Sequence, residues 1–489
     1  MKKYSKSLLF VVFINSFPIM SQNDFESYEK KLNENFGKYE KQANEKYNNY
    51  RDKANAEFAE YMRKSWKAFE GSTPIPLPKS PDPIKQPEKI PNEKPLNEPI
   101  PYERVIPIPV APEQPQPLEP IPTVPESVND KYFEFDFYNS IFKVRLADNL
   151  LFEMPDASEK SVSGIWEKLS DSSYNNIVLD CLSLRDKYNL CDWAYMQMLK
   201  HLAISFLGAD KENEATLFQI FLLNQSGYRV RMARSKDNKI NLLIASDFQI
   251  YQYPFYTLGT DKFYLIDSNE SHLYIFNQAF PNEKQLSLSI AKEMLFRSNI
   301  TATKQFSSKR HPEIRVQTST NKELISFYNA YPKCDWKIYA NTPLSDLIKN
   351  KMYPTLLQLL SGKSEEQAAN ILINFVQTAF EYKTDDEQFG YERPFFPDEL
   401  FYYPYSDCED RSILFSTLVR DLLKLEVVLL HYPNHLATAV HFDENITGDY
   451  LMINDKKFIV CDPTYIGADI GMAMPEFKNT EANVFTLAK

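Results

Sequence analysis

Eighteen of the chain's 32 prolines fall between Pro74 and Pro125. Proline locks φ and lacks a backbone donor, so neither a helix nor an interior strand can run through such a stretch. It divides the 489-residue chain into an N-terminal arm and a C-terminal block from residue 131 onward. That block is longer than one ordinary hydrophobic core holds. Residues 71–130 read as a linker, extended polyproline II at ~3.1 Å per residue. Glycine numbers only 11, which argues against glycine-rich phosphate loops. Lys plus Arg total 55 against 66 Asp plus Glu, a net charge of −11 with no dense basic stripe, so nucleic acid is excluded as a partner. With 43% hydrophobic and 14% aromatic residues the chain can bury a sizeable core, which excludes wholesale disorder.

Lys2, Lys3 and Lys6 precede an apolar run from Leu8 to Met20, followed by Ser21 and Gln22. The run is shorter than the ~20 residues of a spanning helix, and no Cys follows to carry a lipid, so residues 1–21 read as a secretory signal peptide. No later stretch is apolar enough to span a bilayer, and the mature protein is expected to be periplasmic or secreted. Five cysteines, Cys181, Cys191, Cys334, Cys408 and Cys461, leave at least one thiol unpaired within the chain there. Residues 22–70 carry an eleven-residue repeat: Phe25, Phe36, Tyr47, Phe58 and Phe69, with Tyr28, Tyr39, Tyr50 and Tyr61 three places after the first four. Eleven residues over three turns is about 3.67 per turn, so the aromatic stripe stays on one face of a long helical rod. Such a stripe predicts self-association in the manner of a coiled coil, or docking on another surface.

Beyond the linker the patterning is mixed α+β, with an accessory domain at 131–335 and a second domain at 336–489. Ser364-Glu365-Glu366-Gln367 forms a capping box ahead of Ala368, Ile371, Leu372, Phe375 and Ala379, one apolar helix face. Further on, Ser406-Asp407-Cys408-Glu409-Asp410-Arg411 leads into Leu414, Leu418 and Leu422, which puts Cys408 in the first turn of a buried helix. There the helix dipole lowers a thiol pKa and backbone N–H groups can hold an oxyanion. The charges of Asp407, Glu409 and Asp410 oppose this, so an activated thiol would need a nearby imidazolium. His435 to His441 alternates as a strand, and Phe458 to Cys461 is another, closed by Asp462-Pro463-Thr464.

Cys, His and Asp in that order supply a nucleophile, a base and the carboxylate that orients the base. His441 competes for the base, on the same strand face about 20 Å from His435. A simple meander brings Asp462 nearer His441; direct pairing of the first strand with the last brings it nearer His435. Plainer readings exist for each residue: a small buried thiol, a satisfied strand histidine, an Asp-Pro turn former. His431 reads as structural. Cys461 either pairs with Cys334 or stays buried. The aromatic loop of Phe395, Phe396, Phe401, Tyr402, Tyr403 and Tyr405 either walls a cleft or fills the core. The Cys and His residues lack the close paired spacing of a zinc site, so no metal and no cofactor is expected.

Residues of about 360–470 resemble the transglutaminase-like superfamily, the papain-related group with a helix-borne Cys, a strand-borne His and a strand-end Asp. The resemblance rests on Asp407-Cys408-Glu409-Asp410, on Asn434-His435-Leu436-Ala437 and on Asp462-Pro463-Thr464. It departs from the family at Ala437, where an aromatic residue is common, and in the long spacing from His435 to Asp462. By that resemblance Cys408 is the nucleophile, His435 the base and Asp462 its partner, in an enzyme acting on peptide or Gln amide bonds of a protein or peptide substrate, with hydrolysis favoured over cross-linking. The competing expectation is a surface or periplasmic binding protein that uses the fold as scaffold only. Residues 211–233 also align on 408–430, which suggests a degenerate first copy with Lys211, Asn241 and Asp267 where the second has Cys408, His435 and Asp462.

Overall fold

The computed structural model describes residues 50–64, 66–77, 97–108, 114–118, 130–146, 148–170, 174–246, 248–433 and 435–488. The expected leader at 1–21, the repeat up to Tyr47, and Asn434 lie outside the described residues. In chain order the elements are helix α1 (50–62), strands β1 (Lys67–Glu70) and β2 (Tyr102–Ile106), the hairpin β3 (Tyr132–Phe137) and β4 (Ser140–Arg145), then helices α2 (Glu159–Leu169), α3 (Asn175–Lys187), α4 (Asp192–Leu207) and α5 (Glu212–Gln225). Strands β5 (Val230–Arg234), β6 (Ile240–Ala245), β7 (Phe255–Leu258), β8 (Asp261–Leu265) and β9 (His272–Phe276) follow, with a small hairpin β10 (Lys304–Ser307) and β11 (Arg315–Thr318). Next come α6 (Lys322–Asn329), α7 (Trp336–Asn341), α8 (Asp346–Leu360), α9 (Glu365–Ala379), β12 (Glu381–Tyr382), α10 (Asp385–Gln388), β13 (Tyr405–Ser406) and α11 (Cys408–Leu418). The chain ends in β14 (Glu426–Tyr432), β15 (His435–His441), β16 (Tyr450–Ile453), β17 (Lys456–Cys461) and β18 (Ala482–Thr486).

The fold is mixed α+β, built on two curled six-stranded sheets, one near-barrel and one half-barrel, with helices packed on them. The strand orders are β7-β8-β6-β5-β9-β1 and β16-β17-β15-β14-β18-β2. Each sheet is entered from a long buried helix, α5 or α11, through a hairpin (β5-β6 or β14-β15). A second hairpin then docks outside it, one later strand docks on the other flank, and a strand from the N-terminal arm completes the edge. The sixth strands differ in sense: β1 is antiparallel to β9, whereas β2 is parallel to β18. One apolar cluster, from Phe58 to Leu487, runs beneath the helices of both halves, and each sheet has a smaller cluster on its other face. No helix among the described residues is long and apolar enough to cross a membrane.

Two sequence expectations change here. The helix of the repeat ends by residue 62, where the Trp66 indole donates to the Met62 carbonyl at 3.1 Å and satisfies one of the last turn's orphan acceptors. Phe69 therefore leaves the rod and pairs as strand with Leu273. What holds α1 is Asn55, buried among the side chains of Tyr174, Gln225 and Trp166 at 2.9 to 3.2 Å, while Tyr50 and Tyr61 stay 51% and 42% exposed. This turn of the repeat docks on its own chain through buried Arg51 and Asn55 together with Phe58, Ala59 and Met62, and its aromatic stripe does not share one covered face.

The proline-rich stretch is likewise not a free spacer where it is described. Ile100 donates to Tyr450 O at 2.8 Å, β2 extends the second sheet, and Arg185 Nη1 donates to Pro115 O at 3.1 Å. The window Tyr102–Ile106 between Pro101 and Pro107 is proline-free, and an edge strand needs donors on one side only. Gly227, at φ +91°, makes room for this arm: a Cβ there would lie 1.9 Å from Gln116 O.

Two glycines fix the loops behind the second sheet. A Cβ on Gly448 would sit 2.4 Å from Gly471 Cα. Between them Asp449 donates its N–H to Gly471 O at 2.8 Å, and its Oδ2 accepts from Ala473 N at 3.1 Å and Lys478 Nζ at 3.2 Å. Gly448→Ala is expected to lower stability by about 2 kcal/mol through backbone displacement, read from urea unfolding. A loss near zero would contradict the close crossing.

Candidate active site

The segment carrying Cys408 is positioned from both sides. β12 and β13 pair in parallel, with Tyr382 opposite Ser406, and this ladder delivers the chain to the start of α11. Asp407 is the N-cap, and its N–H is taken by Asp410 Oδ2 at 3.2 Å. Arg411, buried in the first turn, donates to Phe380 O at 2.8 Å, Gln377 O at 3.3 Å and Ser406 Oγ at 3.3 Å, and burial pushes its pKa down to about 10. On the opposite side Ser412 Oγ donates to Leu436 O at 2.7 Å, tying the helix to β15.

β15 pairs directly with β17, Thr438 opposite Cys461, and β16 lies outside. Of the two pairings the sequence left open, this is the one that carries Asp462 to His435: His435 Nε2 and Asp462 Oδ2 are 2.7 Å apart. Asp462 Oδ1 accepts the N–H groups of Thr464 and Tyr465 at 2.9 and 3.3 Å, so the residue is turn former and histidine partner at once. The imidazole stacks on Phe477 with centroids 4.9 Å apart and planes at 11°. Its Nδ1 is buried with no partner.

The structure does not join the thiol to that imidazole. Cys408 Sγ lies by the backbone N–H of Leu436, His435's neighbour, and donates to Glu409 Oε2 at 3.0 Å. Burial first, then the charges of Glu409 and Asp407, hold the thiol pKa well above its ordinary value. Cys408, His435 and Asp462 are 3%, 2% and 3% exposed, so a polypeptide reaches them only after the surrounding side chains move. His441 bonds Lys457 O at 2.9 Å through Nδ1 and stands away from Asp462, at the far end of β15. His431 packs against Trp336, with centroids 4.4 Å apart and planes tilted by 52°, and burial pushes its pKa down to about 4. The cysteines are free, with Cys461 and Cys334 each buried.

The aromatic loop is core rather than cleft wall at its centre: Phe396 stacks on Tyr328 at 4.2 Å, and Phe401 packs edge-on against Phe306 and Phe380. Sequence reasoning missed Gln377, whose Nε2 donates to the carbonyls of Asp462, Tyr465 and Ala468 at 3.0 to 3.3 Å while its Oε1 takes the Gly467 N–H at 3.0 Å. Asn370, Asn374 and Gln377, a polar row at helical spacing on a mostly buried helix, were the available signal. In the first half, Asn241 alternates with Leu243 and Ala245, which face the cluster on that sheet's far side, as His435 alternates with Ala437 and Ala439 on the second. Asn241 donates to Lys239 O at 3.0 Å, and Asp267 pairs with Lys200 at 2.7 Å, so no counterpart of the His–Asp contact forms there.

Asp462→Ala removes the histidine bond and both turn bonds and is expected to cost about 3 kcal/mol, whereas Asp462→Asn keeps the turn acceptor and should cost about 1 kcal/mol less. Equal unfolding midpoints in urea for the two variants would contradict this division. A pH effect follows from Asp398, which accepts the Ser345 N–H at 3.0 Å and is pushed up to about 7 by burial. Its folded pKa lies above the unfolded one, so its contribution is full below about pH 4 and is lost as pH rises through 7. Asp398→Asn should therefore flatten the fall of the urea midpoint between pH 4 and 7; an unchanged slope would contradict the assignment.

Comparisons with protein-family models, with curated proteins and with solved structures each return no match, so the reading of this site stands on its own residues and geometry.

Proposed function

We propose that the chain is a periplasmic or secreted thiol hydrolase of the transglutaminase-like kind, cleaving peptide or Gln side-chain amide bonds with Cys408 as nucleophile, His435 as base and Asp462 as its orienting partner. The observation that carries this is the 2.7 Å His435–Asp462 contact, which leaves Nδ1 buried and unpartnered, while Cys408 opens the helix that is tied to the next residue of the same strand by Ser412. An imidazole held at Nε2 by a carboxylate keeps its other nitrogen available for a proton. In the reaction the Cys408 thiol leaves Glu409 and gives its proton to Nδ1, and sulfur attacks the carbonyl carbon. The α11 N-terminal N–H groups receive the oxyanion, and His435 returns the proton to the departing amine. Water, deprotonated by His435, then releases the acyl group and restores the thiol.

A second reading, a binding scaffold without turnover, is favoured by one specific feature: the thiol is buried and donates to Glu409 rather than to His435. In the accessory half Lys211 is the N-cap of α5, as Asp407 is of α11, and Glu212 opens the helix where Cys408 opens the second, so the expected match of Lys211 to Cys408 shifts by one residue and that half offers no thiol there. The two readings separate on a peptide library incubated with the mature protein, with new termini and Gln-to-Glu conversion read by mass spectrometry. Wild type and His441→Ala should yield products at similar rates, while Cys408→Ser and His435→Ala, folded by circular dichroism, should lose about a thousandfold. Product formation that survives Cys408→Ser, or none from wild type, would leave the scaffold reading standing.

A further inference from the structure

The loop that follows β17 is organised around one side chain from α9. Tyr465 N donates to Asp462 O at 3.3 Å and Ala468 N to Tyr465 O at 3.0 Å, so residues 462–468 form two successive turns. The carbonyls of Asp462, Tyr465 and Ala468 then converge on the Nε2 of Gln377, which donates to them at 3.3, 3.0 and 3.0 Å. Its Oε1 accepts the Gly467 N–H at 3.0 Å. Gln377 is 2% exposed, so water cannot take over these bonds while the loop stays closed. Without the amide, three carbonyl oxygens would face one another with their shared donor gone.

The main chain of the same residue reaches the other element of the site. Gln377 O accepts from Arg411 Nη1 at 3.3 Å, in the turn of α11 that begins with Cys408. One residue is thus bonded both to the nucleophile-bearing helix and to Asp462. With the Asp462 carbonyl held by Gln377 and its Oδ1 by the N–H groups of Thr464 and Tyr465, Oδ2 is left facing His435 Nε2 at 2.7 Å. A carboxylate there keeps the imidazole proton on Nε2 and leaves Nδ1 as the acceptor. Asn370, two turns earlier on α9, fastens the same loop by accepting the Ile470 N–H at 2.8 Å, well past Asp462.

We propose that Gln377 is a positioning residue for the reaction: acting through the main chain of Asp462, it holds the carboxylate on His435 Nε2 and so keeps Nδ1 free to take the thiol proton. Its role in the reaction rests on the thiol reading of the site, whereas its hold on the imidazole does not. A side chain that merely fastened the loop would be equivalent to Asn370, and the two separate on what each does to His435.

The test reads the downfield imidazole N–H proton resonance of His435 in protein carrying isotope-labelled histidine, assigned by its loss in His435→Ala, beside the rate of iodoacetamide labelling at Cys408. Gln377→Met, similar in volume but without the amide, should lose the resonance and label Cys408 about tenfold more slowly, whereas Asn370→Ala should keep both at the wild-type level. Gln377→Glu covers the case in which the methionine variant does not fold. Its carboxyl donates to a carbonyl while protonated and repels all three once ionised. Its resonance should therefore be present at about pH 5 and vanish towards about pH 8, where that of wild type persists. The proposal is overturned if both Gln377 variants keep the wild-type resonance across that range, or if Asn370→Ala loses it as readily. A resonance that depends on Gln377, with labelling that does not slow in His435→Ala, would uphold the hold on the imidazole and overturn the thiol reading.

Discussion

A guanidinium that is 1% exposed has no water to bond, so every donor of Arg411 must find oxygen within the protein. It finds the last carbonyls around the end of α9, at Gln377 and Phe380, and the hydroxyl of Ser406. Those contacts fix three things together: where α9 ends, how β13 enters α11, and which way the first turn of α11 faces. The position of Cys408 follows from them, three residues earlier on the same turn.

The second organising feature is reuse. Both sheets present helix, hairpin, outer hairpin and flanking strand in the same order, and both borrow their last strand from the N-terminal arm. A hairpin cannot slip by one residue without turning its apolar set inside out, so a topology that matches strand for strand with the same faces buried is strongly specified. The chemistry-bearing residues are not repeated. On the first half, α1 and the proline-rich arm are stitched down by Asn55 and at the groove of Gly227.

Local signals were the legible part. The capping box at Ser364 forms with both of its hydrogen bonds, Cys408 opens a buried helix, and Asp462 ends a strand in an Asx-type turn. Each depends on residues within a few places of one another, where side-chain type and backbone geometry are coupled directly. Long-range pairing was not legible. The alternation of His435 to His441 fits a meander and a direct β15–β17 ladder equally, and only the fold chooses between them. Proline density likewise concealed β2, because a five-residue strand at a sheet edge needs a partner almost 380 residues away. Composition left the aromatic loop open between cleft wall and core, and packing against Tyr328 and Phe306 makes its centre core.

We propose that His435 acts on the Cys408 thiol, although in the structure the thiol bonds Glu409 and the imidazole bonds Asp462. The most direct measurement is the rate of iodoacetamide labelling at Cys408 in the purified, non-reduced protein at neutral pH, located by peptide mass and compared between wild type, His435→Ala and His441→Ala. The account predicts labelling that slows at least tenfold in His435→Ala and is unchanged in His441→Ala, as an imidazole that takes the thiol proton requires. Equal rates in all three proteins would contradict it and leave Cys408 as a buried structural thiol.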